Sequence, residues 1–261
     1  MRVSGTTGTA SAPDGIRMGT APDAYARSRP SRVGIINERL ERRVILELAG
    51  NVSGRTVLDV GCGEGDLALV LAKRGADVTG IDSSAAMIGA AGRRTKRHGV
   101  DIVFQRADAE WLPFHPEEFD IVTVVSMLCF LEDADPVLQE IARALKPGGR
   151  LVIGELGSWS SWPVGPRVQC ELGSPTRRPT RFRTARELRE LVERAGFIVE
   201  TVHGAAHHPH GVWAARWLSP YELRLGRLTA AGAGFVALAA RRPLEGTPWG
   251  QRPQCLNPME S

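Results

Sequence analysis

Between residues 56 and 156, short runs of β-forming residues alternate with stretches of helical spacing, and nothing else in the chain constrains its fold as tightly. The runs are TVLDV (56–60), DVTGI (77–81), DIVFQRA (101–107), FDIVTVVSM (119–127) and RLVIGEL (150–156). Parallel neighbours need a crossover between them, and a helix is the usual crossover. Leu67, Val70 and Leu71 mark one helical face, and Ser83 and Ser84 are placed to cap the next helix. Asp135-Pro136 predicts an N-cap and first helical residue. The apolar stripe of that helix is Leu138, Ile141, Ala142 and Leu145, and KPGG predicts its end. Ahead of the first strand, Val33, Ile36, Leu40, Val44 and Leu48 share one helical face that Gly50 can terminate. Further on, TARE (184–187) is a capping box, followed by Leu188, Leu191, Val192 and Ala195, with Gly196 as the stop. FIVETV (197–202) and GFVALAA (234–240) add two strands. FDIVTVVSM is apolar almost throughout, as a strand covered on both faces must be. The pattern predicts an α/β fold, a doubly wound sheet with helices on both faces.

Composition sets the borders of this domain. Residues 1–23 are mostly Gly, Ser, Thr, Ala and Pro and predict a disordered tail, and 243–261 predict a second loose tail around a domain at 24–242. A chain of 261 residues with 43% hydrophobic side chains can build one large core. No apolar run approaches the roughly 18–20 residues of a membrane span, and no signal-peptide pattern opens the chain, so a cytoplasmic protein without a membrane partner is expected. Cys62, Cys129, Cys170 and Cys255 form no CxxC pair and predict free thiols with no metal site. The net charge of +4 is modest and does not argue for nucleic acid.

In a sheet of this kind the ligand lies at the carboxyl ends of the strands, where strand order reverses. The loop after the first strand, GCGEG (61–65), is therefore the expected site. A dinucleotide loop places glycine at its first, third and sixth positions for a pyrophosphate. Here the sixth is Asp66, whose carboxylate would repel a diphosphate at the helix N-terminus. No Gly-Lys-Ser/Thr follows, which removes the phosphate-loop alternative. A nucleoside-like ligand without phosphates is what the loop accepts.

VLDVGCGEG, with Asp82 closing the second strand, resembles the class I S-adenosylmethionine-dependent methyltransferases. The likeness is to the small-molecule branch, the ubiquinone/menaquinone-type and type 11-like enzymes. DAEWLPF (108–114), FDIVTVVSMLCFLED (119–133), LKPGGRLVIGEL (145–156) and FRTARELRELVERAGF (182–197) follow in the family's order, so the resemblance covers about residues 25–242. It implies a Rossmann-like seven-stranded sheet, six strands parallel and the last antiparallel. It also implies in-line methyl transfer from S-adenosylmethionine to a small-molecule acceptor. Asp59, Gly61, Cys62 and Gly63 would then surround the methionine end, Asp82 and Ser83 the ribose, and Asp108 with the Ala109 amide the adenine. Trp111 and Leu112 would pack near the adenine, although a Trp is more often a core residue. Ser126 and Met127 would lie beside the sulfonium. Cys62 and Cys129 read as buried, inert thiols.

The acceptor side is less determined. Tyr25 corresponds to a tyrosine that closes over the cofactor in related enzymes. HGAAHHPH (203–210) reads as a polar loop after strand six. Its His203, His207, His208 and His210 invite a metal reading that no neighbouring cysteine or carboxylate completes. Tyr25, His203 and His207 are the candidate catalytic residues, a general base being sought in the histidine loop, and the sequence singles out none. Residues 157–183, with Trp159 and Trp162, are the expected acceptor loop, and Arg177, Arg178, Arg181 and Arg183 read as a solvated charge run. Three alternatives stand beside the methyltransferase reading: a non-catalytic S-adenosylmethionine-binding regulator, an RNA or metalloid methyltransferase, and a nucleotide-dependent oxidoreductase. Cys170 alone is thin support for a metalloid, and Asp66 counts against the oxidoreductase.

Overall fold

Strands and helices follow the predicted order over residues 32–157, 181–207 and 224–244, which the computed structural model describes. Helix α1 spans Arg32–Ala49, followed by β1 (Thr56–Val60), α2 (Asp66–Lys73), β2 (Asp77–Asp82), α3 (Ala85–Arg97) and β3 (Val103–Arg106). Then come β4 (Phe119–Val125), a 3₁₀ turn (Leu128–Phe130), α4 (Asp135–Ala144) and β5 (Leu145–Leu156). The last elements are α5 (Ala185–Arg194), β6 (Ile198–Ala205) and β7 (Phe235–Arg241). Residues 224–228 add a short helix that no sequence pattern marks.

The seven strands lie in the order β3-β2-β1-β4-β5-β7-β6. β1 to β4 pair in parallel with their neighbours, as do β4 and β5, while β7 is antiparallel to both β5 and β6. Successive residues of a strand point to opposite faces, so each run feeds two cores. Val57, Ile121, Val152 and Phe235 meet Val44, Ile45 and Leu48 of α1 and Leu71 of α2. On the other face Leu58, Val122, Leu151 and Ile153 meet Leu138 and Ile141 of α4 and Leu188 and Val192 of α5. The chain passes from β3 at one edge to β4 beside β1, so the order reverses between β1 and β4. In a doubly wound sheet the loops leaving two such strands diverge, and a crevice opens between them.

Local physics moves three boundaries from where the sequence pattern puts them. Ala134 rather than Asp135 occupies the N-cap of α4, without a side-chain cap. Asp133 Oδ1 instead accepts from the Asp135 amide at 2.9 Å, and Pro136 in the first turn has no amide to satisfy. Helix α4 stops at Ala144, ahead of KPGG, because Pro147 biases Lys146 toward extended backbone. Pairing then begins with Phe119↔Leu145 and resumes at Ile121↔Arg150, so residues 146–149 bulge from β5. Strand β6 continues beyond Val202, pairing His203, Gly204 and Ala205 with Ala237, Val236 and Phe235 of β7. His203 is thus a strand residue and not part of a loop.

Candidate functional site

The β1–α2 connection turns on glycines at Gly61 (φ +71°), Gly63 (φ +54°) and Gly65 (φ +75°). At Gly61 a side chain has no room: a Cβ there would stand 2.7 Å from Met127 Cγ. At Gly63 nothing lies within 4 Å, so its backbone faces open space. The loop is fastened to β2 from both sides. The Cys62 amide donates to the Ile81 carbonyl at 2.9 Å, and the Gly63 amide donates to Asp82 Oδ2 at 3.0 Å. The other carboxylate oxygen of Asp82 accepts from the Ser84 amide at 2.8 Å, and Ser84 in turn caps α3. Ser83 follows Asp82, and its carbonyl accepts from Arg106 Nε at 3.0 Å. Asp82 therefore joins two loops while each oxygen keeps a second lone pair.

Beneath the glycine loop lies Asp59, 2% exposed. Its Oδ1 accepts from the Thr123 hydroxyl at 2.7 Å, and its Oδ2 is buried with no hydrogen-bond partner among the described residues. Burial pushes its carboxyl up to about 7, the Thr123 hydrogen bond opposes this, and the charge of Asp82 adds to it. The same burial and the two acids raise the Cys62 thiol, which is free and buried.

Past β3, the Trp111 amide donates to the Asp108 carbonyl at 3.1 Å and the Glu110 amide to Asp108 Oδ1 at 3.0 Å, closing a tight turn around Ala109. That turn throws Trp111 outward to 79% exposure and leaves Leu112 buried, so Trp111 is not a core residue. Leu112 is held by α4: its amide donates to Glu140 Oε2 and its carbonyl accepts from Arg143 Nη2, both at 2.9 Å.

Past β4, Ser126 adopts φ +52°, a left-handed conformation that costs an L-residue about 1–2 kcal/mol. Its amide donates to the Gly154 carbonyl at 2.7 Å, while its Oγ is buried without a partner among the described residues. Met127 follows, packed against Gly61. Two unpartnered buried oxygens, on Asp59 and Ser126, and an open cradle over Gly63 make a site fitted to a polar ligand with a cationic group.

These residues, from β1, β2, β3 and β4, gather at one end of the sheet. The histidines do not join them. His203 Nδ1 lies 4.0 Å from Glu47 Oε1 of α1, with Arg227 Nε 2.7 Å from the same oxygen. Burial lowers the His203 pKa, against the pull of Glu47. His207 Nε2 donates to the Thr229 carbonyl at 3.1 Å. Both belong to the β6–β7 side of the sheet, three strands from β4. Tyr25, His208, His210, Trp159, Trp162, Cys170, Arg177 and Arg178 lie outside the described residues.

Two supports escape the sequence patterns. Arg94 of α3 reaches back to the loop, where its Nη2 donates to Glu64 at 2.9 Å and its Nη1 to Asp66. Arg183, read within a solvated run, is instead 6% exposed and donates to the Leu128 carbonyl at 3.2 Å. An Asp or Glu thirty residues from an Arg carries no local signal that could reveal such pairing.

A family model described as methyltransferase domain matches residues 58–153. The chain is 32% identical over 171 residues to a ubiquinone biosynthesis O-methyltransferase of Aeromonas salmonicida, covering 63% of this chain and 72% of that protein. A protein of the same name from Pseudomonas entomophila is 39% identical over 123 residues, 47% of this chain and 49% of the relative. The chain thus spans about half the length of the Pseudomonas relatives it matches. Among solved structures, the [4+2]-cyclase SpnF is similar with a TM-score of 0.57 at 25% identity, over 78% of this chain and 82% of that one. A SAM-dependent methyltransferase from Aquifex aeolicus shares the fold with a TM-score of 0.58 at 19% identity, over 84% and 97% of the two chains.

Proposed function

Because the chain belongs to the class I S-adenosylmethionine-dependent methyltransferases, we propose that the crevice between β1 and β4 binds that cofactor and presents its methyl group to a small-molecule acceptor. In this reading Asp59, Gly61, Cys62 and Gly63 receive the methionine end, and Asp82 and Ser83 the ribose. Asp108 and Ala109 receive the adenine, and Ser126 and Met127 border the sulfonium. When bound, the cofactor supplies an electrophilic methyl group. The chain's own part is to orient that group, exclude water and hold the acceptor in line with it.

The observation that carries the assignment is the buried Oδ2 of Asp59, which has no hydrogen-bond partner among the described residues, while the neighbouring acids Glu64, Asp66 and Asp82 are engaged. A buried acceptor left unmade costs about 1–3 kcal/mol, and an ammonium group or a water it holds would satisfy it. No proton step is assigned: His203 and His207 are occupied on the β6–β7 side, and Tyr25 lies outside the described residues. The names of the relatives favour an oxygen acceptor, so hydroxylated aromatic compounds are the first to try. The likeness to SpnF supports a second reading, in which the fold binds the cofactor and serves another reaction.

Calorimetric titration with S-adenosylmethionine tests the site. Asp82→Ala removes the acceptor of the Gly63 and Ser84 amides and should weaken binding at least tenfold, about 1.4 kcal/mol. Equal affinity in both proteins would defeat the ribose assignment. Labelled-methyl transfer to a panel of phenols and catechols tests the acceptor. Tight cofactor binding with no labelled product would favour the second reading.

A further inference from the structure

Glu155, next to last in β5, shares its sheet face with Leu151 and Ile153, which fill the core beside α4 and α5. At 1% exposure a third apolar side chain would serve packing better than a carboxylate, whose burial is costly unless it is fully bonded. Glu155 is fully bonded, and all to one place. Its Oε1 accepts from the amides of Met127 at 3.1 Å and Leu128 at 2.8 Å, and its Oε2 from the amide of Cys129 at 3.1 Å. These three consecutive amides open the 3₁₀ turn immediately after Ser126, whose own amide is held by the Gly154 carbonyl. Residues 154 and 155 together fix the whole reversal of the chain at the end of β4.

The opposite side of the turn is fastened as well. Arg183 Nη1 donates to the Leu128 carbonyl at 3.2 Å and the Arg181 amide to the Cys129 carbonyl at 2.9 Å. Gly157 forms a bridge with Arg183 beside them. Burial pushes the Glu155 carboxyl up to about 7, while the Leu128 and Cys129 amides, the Cys129 thiol and the charge of Arg183 favour its ionised form. The turn in turn bears on the glycine loop, since Met127 fills the place a Gly61 side chain would take.

We propose that Glu155 is a positioning residue: by binding the Met127, Leu128 and Cys129 amides it holds the β4 turn against the glycine loop and sets where Ser126 and Met127 meet the cofactor, with Arg183 clamping the turn from its other side. This rests on the cofactor reading above. Glu155→Gln keeps the volume but turns an NH₂ group toward amide donors. Amide hydrogen exchange at Met127–Cys129 should rise at least tenfold, and the Kd for S-adenosylmethionine at least tenfold. Ile141→Val, in the core of α4, supplies a destabilised control whose Kd should stay within twofold of wild type. Should Glu155→Gln not fold, Arg183→Met is expected to raise the Kd at least threefold and Arg183→Lys to restore it to within twofold. Variants that bind the cofactor as tightly as wild type, despite faster exchange in the turn, would overturn the positioning role alone. A wild-type protein that failed to bind S-adenosylmethionine would overturn the cofactor reading and this inference with it.

Discussion

Gly63 and Gly99 form a matched pair that separates backbone strain from ligand contact. Both have left-handed backbone, φ +54° and φ +64°, and an added Cβ would meet nothing within 4 Å at either. Alanine in that conformation costs about 1–2 kcal/mol, offset by about 0.4–1 kcal/mol from the stiffer unfolded chain. The net is a loss of about 1 kcal/mol at each position, or a melting temperature lower by about 2–4 °C for a domain of this size. Gly99 follows α3 ahead of β3, at the end of the sheet opposite the glycine loop. Gly63 faces the crevice. If the open space over Gly63 is filled by the cofactor, a methyl group there intrudes on it, and Gly63→Ala should weaken S-adenosylmethionine binding at least tenfold. Gly99→Ala should leave it unchanged. A cofactor at about 100 times its Kd stabilises the fold by about 2.7 kcal/mol, of which a tenfold loss of affinity removes about 1.4 kcal/mol. Melting curves with and without S-adenosylmethionine therefore read the difference directly, and calorimetry gives the Kd. Equal cofactor-induced stabilisation of the two variants would refute the placement of the ligand over Gly63.

Asp59 makes stability depend on pH. Its carboxyl is raised from 3.8 to about 7, so the folded chain keeps a proton that the unfolded chain releases above about pH 4. Stability is thereby lost as pH rises from about 4 to 7 and no further above that, by at most about 4 kcal/mol at ~1.36 kcal/mol per unit. Asp59→Asn does not titrate, so its melting temperature should gain on wild type between pH 5 and 7 and then hold a constant lead. A lead independent of pH would mean that Asp59 ionises normally. Arg94→Ala removes a partly exposed clamp and should cost no more than about 1 kcal/mol at low salt. Denaturant melts in about 1 M salt should erase that difference, and a loss that persisted would assign the clamp to packing instead of charge.

What the sequence made legible is what is local. β1 spans the residues its β-branched run marks, Thr184 and Glu187 form both bonds of the capping box, and Ser84 caps α3. The acids proposed for the site, Asp59, Asp82 and Asp108, were marked by the family resemblance, and each stands near the carboxyl end of a strand. The supports were not, because they act between residues far apart in the chain. Glu155 binds amides 26–28 residues away, and Arg94 reaches a carboxylate 30 residues away. Arg183 was hidden by its neighbours, since a run of arginines averages to a solvated surface although one of them is buried. The extension of β6 through His203, Gly204 and Ala205 follows from a partner strand that continues, and pairing with it overrides weak β-propensity.

The distribution of charge decides what kind of ligand the glycine loop suits. The chain as a whole carries +4, yet Glu64, Asp66, Asp82 and Asp108 stand at the carboxyl ends of β1, β2 and β3. In dinucleotide-binding folds the helix after the glycine loop offers its bare N-terminus to a pyrophosphate. Here α2 begins with Asp66, whose carboxylate already occupies the first turn and is tied down by Arg94. A diphosphate would have to displace that arrangement and face Glu64 and Asp82 as well, so the oxidoreductase reading loses its physical basis at one residue. A ligand bearing an ammonium and a sulfonium meets the same acids favourably. The glycines permit close approach in either case, and the acids placed among them turn an anion cradle into one for a cation.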